Sequence, residues 1–80
     1  MESYPRIISV EPQEHFMLRV VFTNGVAKLY DCTRLWEDEA FQPLRNPAFF
    51  KNVRADAGGY GVVWNDQIDL SEAEIWDYGT

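Results

Sequence analysis

The pair Asn24-Gly25 is the feature that most constrains how this chain folds. Asn and Gly both tolerate the positive φ angles that a two-residue type I′ turn requires, and β-forming residues flank the pair on both sides. The pair therefore predicts a hairpin with strands near residues 15 to 23 and 26 to 31. A two-residue turn places Val20 opposite Leu29. The buried face of the hairpin then consists of Phe16, Leu18, Val20, Phe22, Ala27 and Leu29.

The remaining patterns complete a small α+β domain over residues 1 to 80. Asn46 before Pro47 is a typical helix start, and Ser71 with Glu74 has the spacing of a capping box. We expect a mostly antiparallel sheet of about five strands in the order β-β-β-α-β-β-α, with a short central helix and a C-terminal helix. The other predicted elements are strands near residues 5 to 11 (ended by Pro12), 52 to 56 and 60 to 65, and helices near residues 47 to 51 and 71 to 78.

The charge of the chain favours some partners over others. Thirteen acidic and seven basic residues give a formal net charge of −6, and the basic residues are scattered along the sequence. A basic patch, which nucleic-acid binding requires, is therefore missing, so we expect no direct nucleic-acid partner. An acidic chain favours encounter with a basic partner, although charge that serves only solubility gives the same composition.

The single cysteine and the apolar pattern indicate the cellular compartment of the protein. Cys32 has no second cysteine to pair with, which is typical of a reducing compartment. Met1 to Ser9 lacks the apolar stretch of a signal peptide, and no run approaches the length of a membrane span. These patterns predict a cytoplasmic protein without membrane contact.

The sequence contains no motif that indicates catalysis, a cofactor or a metal. His15 is the only histidine and has no nucleophile motif around it. The run Gly58-Gly59-Tyr60-Gly61 is not followed by the Lys-Ser or Lys-Thr of a phosphate-binding loop, so we interpret it as a turn. The acidic residues around the second hairpin lack the alternating spacing of a calcium loop: Asp56, Asp66 and Asp69. We expect no enzyme and no cofactor.

Three tryptophans and one acidic run remain as candidates for binding a partner. Buried tryptophans belong to the core, whereas exposed ones mark an interaction surface, and the sequence leaves both readings open. The acidic run is either a solvated loop or a docking surface for a basic partner. The candidate partner-binding residues are Trp36, Glu37, Asp38, Glu39, Trp64 and Trp76.

Short motifs appear in a distinctive order along nearly the whole chain. They are Tyr4-Pro5-Arg6-Ile7, Phe22-Thr23-Asn24-Gly25, Pro47-Ala48-Phe49-Phe50, Trp64 and Asp69-Leu70-Ser71. In this order the chain resembles DUF2442, a family of short bacterial proteins of unknown function. The resemblance implies a small α+β fold and gene pairs similar to toxin–antitoxin pairs, and it offers no catalytic residue to carry over.

Two classes of function follow from these observations. The first is a non-catalytic protein-binding module, such as an antitoxin-like component, whose partner is a small basic protein encoded by a neighbouring gene. A homodimer is compatible with this class. The alternative is a regulatory domain that senses a small ligand. An enclosed pocket would favour the ligand sensor, and a flat aromatic patch would favour the binding module.

Overall fold

The computed structural model describes residues 4–80, which adopt an α+β fold with six strands and two short helices. The strands are β1 (Ile7–Gln13), β2 (Met17–Phe22), β3 (Ala27–Asp31), β4 (Arg54–Ala55), β5 (Gly61–Asn65) and β6 (Ile68–Ser71). The α-helices are α1 (Pro47–Phe50) and α2 (Glu72–Tyr78), and 3₁₀ helices cover Glu14–Phe16, Cys32–Leu35 and Glu39–Arg45. No helix within residues 4–80 combines the length and the apolar character needed to cross a bilayer.

The strands form two antiparallel sheets of three strands each, in the orders β1-β2-β3 and β4-β5-β6. The prediction of a single five-stranded sheet is therefore wrong. Strand β4 lies against β1, so the two sheets meet there. The N–H of Ile7 also donates to the carbonyl oxygen of Gly59 at 2.8 Å, which ties β1 to the loop between β4 and β5.

Strand β2 is the centre of the first sheet. Its alternate side chains Leu18, Val20 and Phe22 are completely buried, as the sequence pattern predicts. The intervening residues of β2 point to the opposite face, where Arg19 forms an exposed ion pair with Glu11 of β1 at 3.6 Å. The first sheet therefore buries one face and leaves the other toward solvent, as antiparallel sheets commonly do.

The hairpin between β2 and β3 has a different turn and register from the predicted ones. Its loop contains three residues, because the N–H of Phe22 donates to Val26 O at 2.9 Å and the N–H of Gly25 donates to Phe22 O at 2.9 Å. Only Gly25 has a positive φ (+88°), whereas Asn24 accepts the N–H of Val26 through its side-chain Oδ1 at 3.1 Å. This is the pattern of a type I turn followed by a left-handed glycine, and a type I′ turn is excluded.

The extra loop residue shifts the pairing by one position and reverses the two faces of β3. Val20 pairs with Lys28 and Leu18 with Tyr30, so Tyr30 is completely buried. Leu29 is 43% exposed and Ala27 is exposed as well. The prediction that Ala27 and Leu29 belong to the core is wrong, because a one-residue slip moves every side chain of a strand to the other face.

Strand β1 has the predicted length of seven residues but lies two residues further along the chain than predicted. It continues through Pro12, which pairs with Leu18, and ends at Gln13. Because β1 is the outer strand of its sheet, the N–H that proline lacks is not needed by a second neighbouring strand. Strand β2 begins only at Met17, so Phe16 lies in the connecting loop.

Strand β6 is absent from the sequence prediction. Asn65 ends β5, and its side-chain Oδ1 accepts the N–H groups of Gln67 at 2.8 Å and Ile68 at 2.9 Å, which closes a tight turn. Ile68 and Leu70 then point into the core. With only two apolar positions, this strand gives a weak periodic signal.

Helix α2 begins as predicted and is held against β3. The Ser71 Oγ accepts the N–H of Glu74 at 3.1 Å, which confirms the predicted cap. The carboxylate of Glu74 does not return to Ser71 but accepts the hydroxyl of Tyr30 at 2.6 Å. After the helix, the N–H of Thr80 donates to Leu29 O at 2.8 Å, so the chain beyond α2 runs along the outer edge of β3.

We expect Gly25→Ala to lower the free energy of unfolding by about 1 kcal/mol, because a Cβ is strained at positive φ. No atom lies within 4 Å of that Cβ position, so crowding adds nothing to the cost. Gly25→Asn is the control, since Asn tolerates this conformation and should recover much of the loss. Equal urea midpoints for the alanine and glycine proteins would contradict the left-handed assignment.

Tyr30→Phe should reduce the loss of stability at high pH. Burial and then the hydrogen bond to Glu74 raise the pKa of Tyr30 above its ordinary value of 10.0. The folded protein keeps this proton above pH 10 while the unfolded chain releases it, so stability is present below pH 10 and decreases as the pH rises further. Urea unfolding at pH 9 and pH 11 measures the difference, and it should be smaller for Tyr30→Phe than for the unaltered chain.

At pH 7, Tyr30→Phe should lower the free energy of unfolding by about 1 to 3 kcal/mol, because the Glu74 carboxylate loses a hydrogen-bond donor. Tyr60→Phe is the matched control at an exposed tyrosine and should leave both measurements close to those of the unaltered chain. An alkaline loss of stability that is unchanged in Tyr30→Phe would refute the role of this hydroxyl.

Candidate functional site

The six candidate partner-binding residues lie in different parts of the fold. The Trp36 ring packs against Phe16 at a centroid distance of 5.1 Å, and the Trp76 ring packs against Phe22, also at 5.1 Å. Phe16 precedes the first residue of β2 and Phe22 is its last residue, so the two tryptophans are separated by roughly 20 Å of strand. Trp36 and Trp76 therefore lie toward opposite ends of β2.

Trp64 and Trp76 have structural roles. Trp64 is 4% exposed, and its indole Nε1–H donates to the carbonyl oxygen of Phe50 at 3.0 Å. Trp76 is half-buried, and the ammonium of Lys28 lies over its ring at 4.5 Å from the centroid. Trp64 therefore belongs to the core, and Lys28 covers one face of Trp76.

Trp36 and the three acidic residues that follow it remain together at the surface, and we call residues 36 to 39 the acidic ledge. The backbone of this ledge is held in place by side chains. Asp38 Oδ1 accepts the N–H of Ala40 at 2.9 Å and so caps the 3₁₀ helix Glu39–Arg45. Gln42 Nε2 and Arg45 Nη2 both donate to the carbonyl oxygen of Trp36, at 2.6 Å and 3.2 Å.

The carboxylates of the ledge are exposed to solvent. Among residues 4–80, neither Glu37 nor Glu39 has a cationic group within 4 Å. The guanidinium of Arg45 lies 5.0 Å from the centre of the Trp36 ring and is engaged by that ring and by the Trp36 carbonyl. The ledge thus combines a fixed backbone with two exposed carboxylates beside a half-buried tryptophan.

A second candidate site is a cleft that the sequence did not reveal. It has a volume of about 450 Å³ and lies between the β1–β2 loop and helix α1. Its lining is mainly apolar, and its volume falls in the range of small-molecule pockets. The cleft is open to solvent, so it is neither the enclosed pocket nor the flat patch that would separate the two predicted functions. The residues that shape it include Pro12, Glu14, Phe16, Pro47, Phe50 and Lys51.

The β1–β2 loop that forms one wall of this cleft is strained. His15 has φ 62° and ψ 31°, and Phe16 has φ 60°. Both residues therefore have a positive φ although neither is Gly, Asn or Asp, which is uncommon for a bulky side chain such as that of Phe16. Each such residue costs about 1 to 3 kcal/mol, which the surrounding structure must offset.

Aromatic packing compensates the strain at Phe16. Its ring makes edge-to-face contacts with Trp36 at 5.1 Å and with Phe50 at 5.3 Å, and each such pair contributes about 0.5 to 1.5 kcal/mol beyond burial. Phe16 therefore lies between the two candidate sites, since it contacts the tryptophan of the ledge and also lines the cleft. His15 is exposed and forms no side-chain hydrogen bond within the described part of the chain.

Metal-ligating clusters and the single cysteine are the remaining candidates for reactive chemistry among the described residues. Within residues 4–80, no group of three or more His, Cys, Asp and Glu side chains is placed to hold a metal ion. Cys32 is completely buried, and burial followed by the nearby Asp31 raises the pKa of its thiol to about 12. The thiol is therefore protonated at neutral pH and has little nucleophilic character.

The comparisons with known proteins identify a family and nothing more specific. A sequence model of DUF2442, described as a protein of unknown function, matches residues 7–80. The match covers nearly the whole chain and confirms the resemblance seen in the short motifs. No curated protein and no solved structure gives a significant match to this chain.

We expect His15→Gly to raise the free energy of unfolding by about 1 kcal/mol, because glycine adopts the left-handed conformation without steric cost. Glu14→Gly is the control in the same loop, and it should lower stability because the φ of Glu14 is not positive. Urea unfolding of both variants measures the difference. A loss of similar size in the two variants would show that His15 is not strained.

Proposed function

Because this chain belongs to the DUF2442 family, whose function is unknown, we propose a function from its own surface. The protein is a non-catalytic module of the bacterial cytoplasm that binds a small basic protein through the acidic ledge. The observation that carries the proposal is the pair of exposed carboxylates, Glu37 and Glu39, on a backbone held by Asp38, Gln42 and Arg45.

Electrostatics supports a basic partner. The net charge of −6 repels acidic molecules and attracts basic ones, and charges that face solvent act over about 8 Å at physiological ionic strength. Within residues 4–80, Glu37 and Glu39 have no cationic group within 4 Å, so their carboxylates can pair with lysine or arginine of a partner. Such pairs at the edge of an interface mainly increase the association rate and set the orientation of the two proteins.

The fixed geometry of the ledge favours binding. A flexible acidic loop would lose conformational entropy when it binds, which weakens the complex. Here the hydrogen bonds to the Trp36 carbonyl and the Asp38 cap already order the segment. Trp36 adds an apolar surface beside the charges, and half-buried tryptophans are frequent at interfaces.

The partner that we propose is the product of a neighbouring gene. The resemblance to this family implies gene pairs similar to toxin–antitoxin pairs, and an acidic module that neutralises a basic protein would fit such a pair. Self-association through the ledge would bring like charges together, so a homodimer would have to use another surface.

Charge reversal on the ledge should slow binding to the neighbour-encoded protein. We expect Glu37→Lys with Glu39→Lys to reduce the association rate constant at least tenfold in 50 mM salt, because long-range attraction is lost. The effect should shrink in 500 mM salt, where the charges are screened. Stopped-flow mixing of the two purified proteins measures both rates.

The matched control is Glu11→Lys with Asp69→Lys, which changes the net charge by the same amount at two exposed positions away from the ledge. The control should slow association by less than threefold. Equal slowing in both double variants would indicate a general charge effect without a docking site. Absence of any complex with the unaltered chain would refute the proposal.

The cleft favours a second candidate function, that of a domain that senses a small ligand. The packed ring of Phe16 forms part of the wall of this cleft. Because this ring also contacts Trp36, a ligand that moves it would alter the ledge, which would couple ligand binding to partner binding.

A further inference from the structure

The two walls of the cleft differ in charge. The β1–β2 loop contributes Glu14 to one wall, and the segment at the end of α1 contributes Lys51 to the other. Both side chains are exposed, and within residues 4–80 neither forms an ion pair, either with the other or with any charged group within 4 Å. An anion and a cation therefore face the same cleft without neutralising each other.

The rest of the lining is mainly apolar. Phe16 and Phe50 are held edge-to-face at 5.3 Å, and Pro12 and Pro47 lie beside them in a lining that also contains Gln13 and His15. Proline and packed aromatic rings lose little conformational freedom when a ligand binds. The cleft therefore suits a small molecule that has an apolar body and carries a positive and a negative group.

We propose that this cleft binds a free amino acid with an apolar side chain. The carboxylate of the amino acid pairs with the Lys51 ammonium, its ammonium group pairs with the Glu14 carboxylate, and its side chain lies on Phe16 and Phe50. The inference rests on the second candidate function and is independent of the binding of a basic protein to the ledge. A ligand with only one charge would leave either Glu14 or Lys51 without a partner.

Amide spectra of the ¹⁵N-labelled chain, titrated with L-phenylalanine, test the proposal. We expect saturable shifts at residues 13 to 16 and 47 to 51, with a dissociation constant of about 1 mM or lower, which is ordinary for a ligand of this size. Resonances near Trp76, at the other end of β2, should not shift.

Two analogues separate the roles of the two charges. The first, 3-phenylpropanoate, keeps the carboxylate and the ring but lacks the ammonium group. The second, 2-phenylethylamine, keeps the ammonium group and the ring but lacks the carboxylate. Each should bind the unaltered chain at least fivefold more weakly than L-phenylalanine does.

Two substitutions then assign each charge to its partner. In Glu14→Gln, L-phenylalanine should lose its advantage over 3-phenylpropanoate, because the partner of its ammonium group is gone. In Lys51→Met, L-phenylalanine should bind no more tightly than 2-phenylethylamine, because the partner of its carboxylate is gone. Glu11→Gln and Lys28→Met each remove one charge of the same sign at a position outside the lining of the cleft. In both control variants L-phenylalanine should still bind more tightly than either analogue.

The outcomes distinguish failure of the amino-acid assignment from failure of the small-ligand function and from failure of partner binding through the ledge. Binding of 3-phenylpropanoate as tight as that of L-phenylalanine would overturn the amino-acid assignment but would retain a small-ligand site. Absence of saturable shifts at 10 mM for all three compounds would overturn the inference itself. Neither result bears on the salt-dependent association through the ledge, which is measured with a different molecule.

Discussion

The complete burial of alternate side chains on β2 is the constraint on which the rest of the structure depends. Leu18, Val20 and Phe22 fill the space between the first sheet and the elements that pack on it. At one end of the strand the Phe22 ring packs against Trp76 of α2. Just before the other end, the Phe16 ring packs against Trp36 and Phe50. The ledge, the cleft and the C-terminal helix thus take their positions from one strand and its flanking aromatic residues.

The sequence predicted most elements but not the register of the first hairpin. Asn24-Gly25 correctly locates the turn, because both the two-residue and the three-residue loop need a left-handed residue at position 25, and glycine adopts that conformation without steric cost. The length of the loop depends on a distant contact. A three-residue loop buries Tyr30, whose hydroxyl donates a hydrogen bond to Glu74, 44 residues further along the chain. Burial of this ring with a satisfied hydroxyl outweighs burial of Leu29. A pattern of neighbouring residues does not contain such a distant contact.

The two candidate sites differ in how far the sequence reveals them. The acidic ledge could be predicted, since consecutive charged residues remain at the surface in almost any fold. The cleft could not, because it requires Phe16 to adopt a conformation that aromatic residues rarely adopt. Packing of the Phe16 ring against Trp36 and Phe50 offsets the strain of that conformation. Sites of this kind appear where tertiary packing overrides the preference of a single residue.

The hydrogen bond from Thr80 to Leu29 affects how the protein behaves at high concentration. Strand β3 forms the edge of its sheet, and an exposed edge beside apolar side chains is a template for strand addition and fibril growth. Leu29 is such a side chain, but its carbonyl oxygen is already occupied by Thr80. The last residues described thus cover part of this edge, and we expect their removal to leave the Leu29 carbonyl oxygen open to pairing with a strand of another molecule.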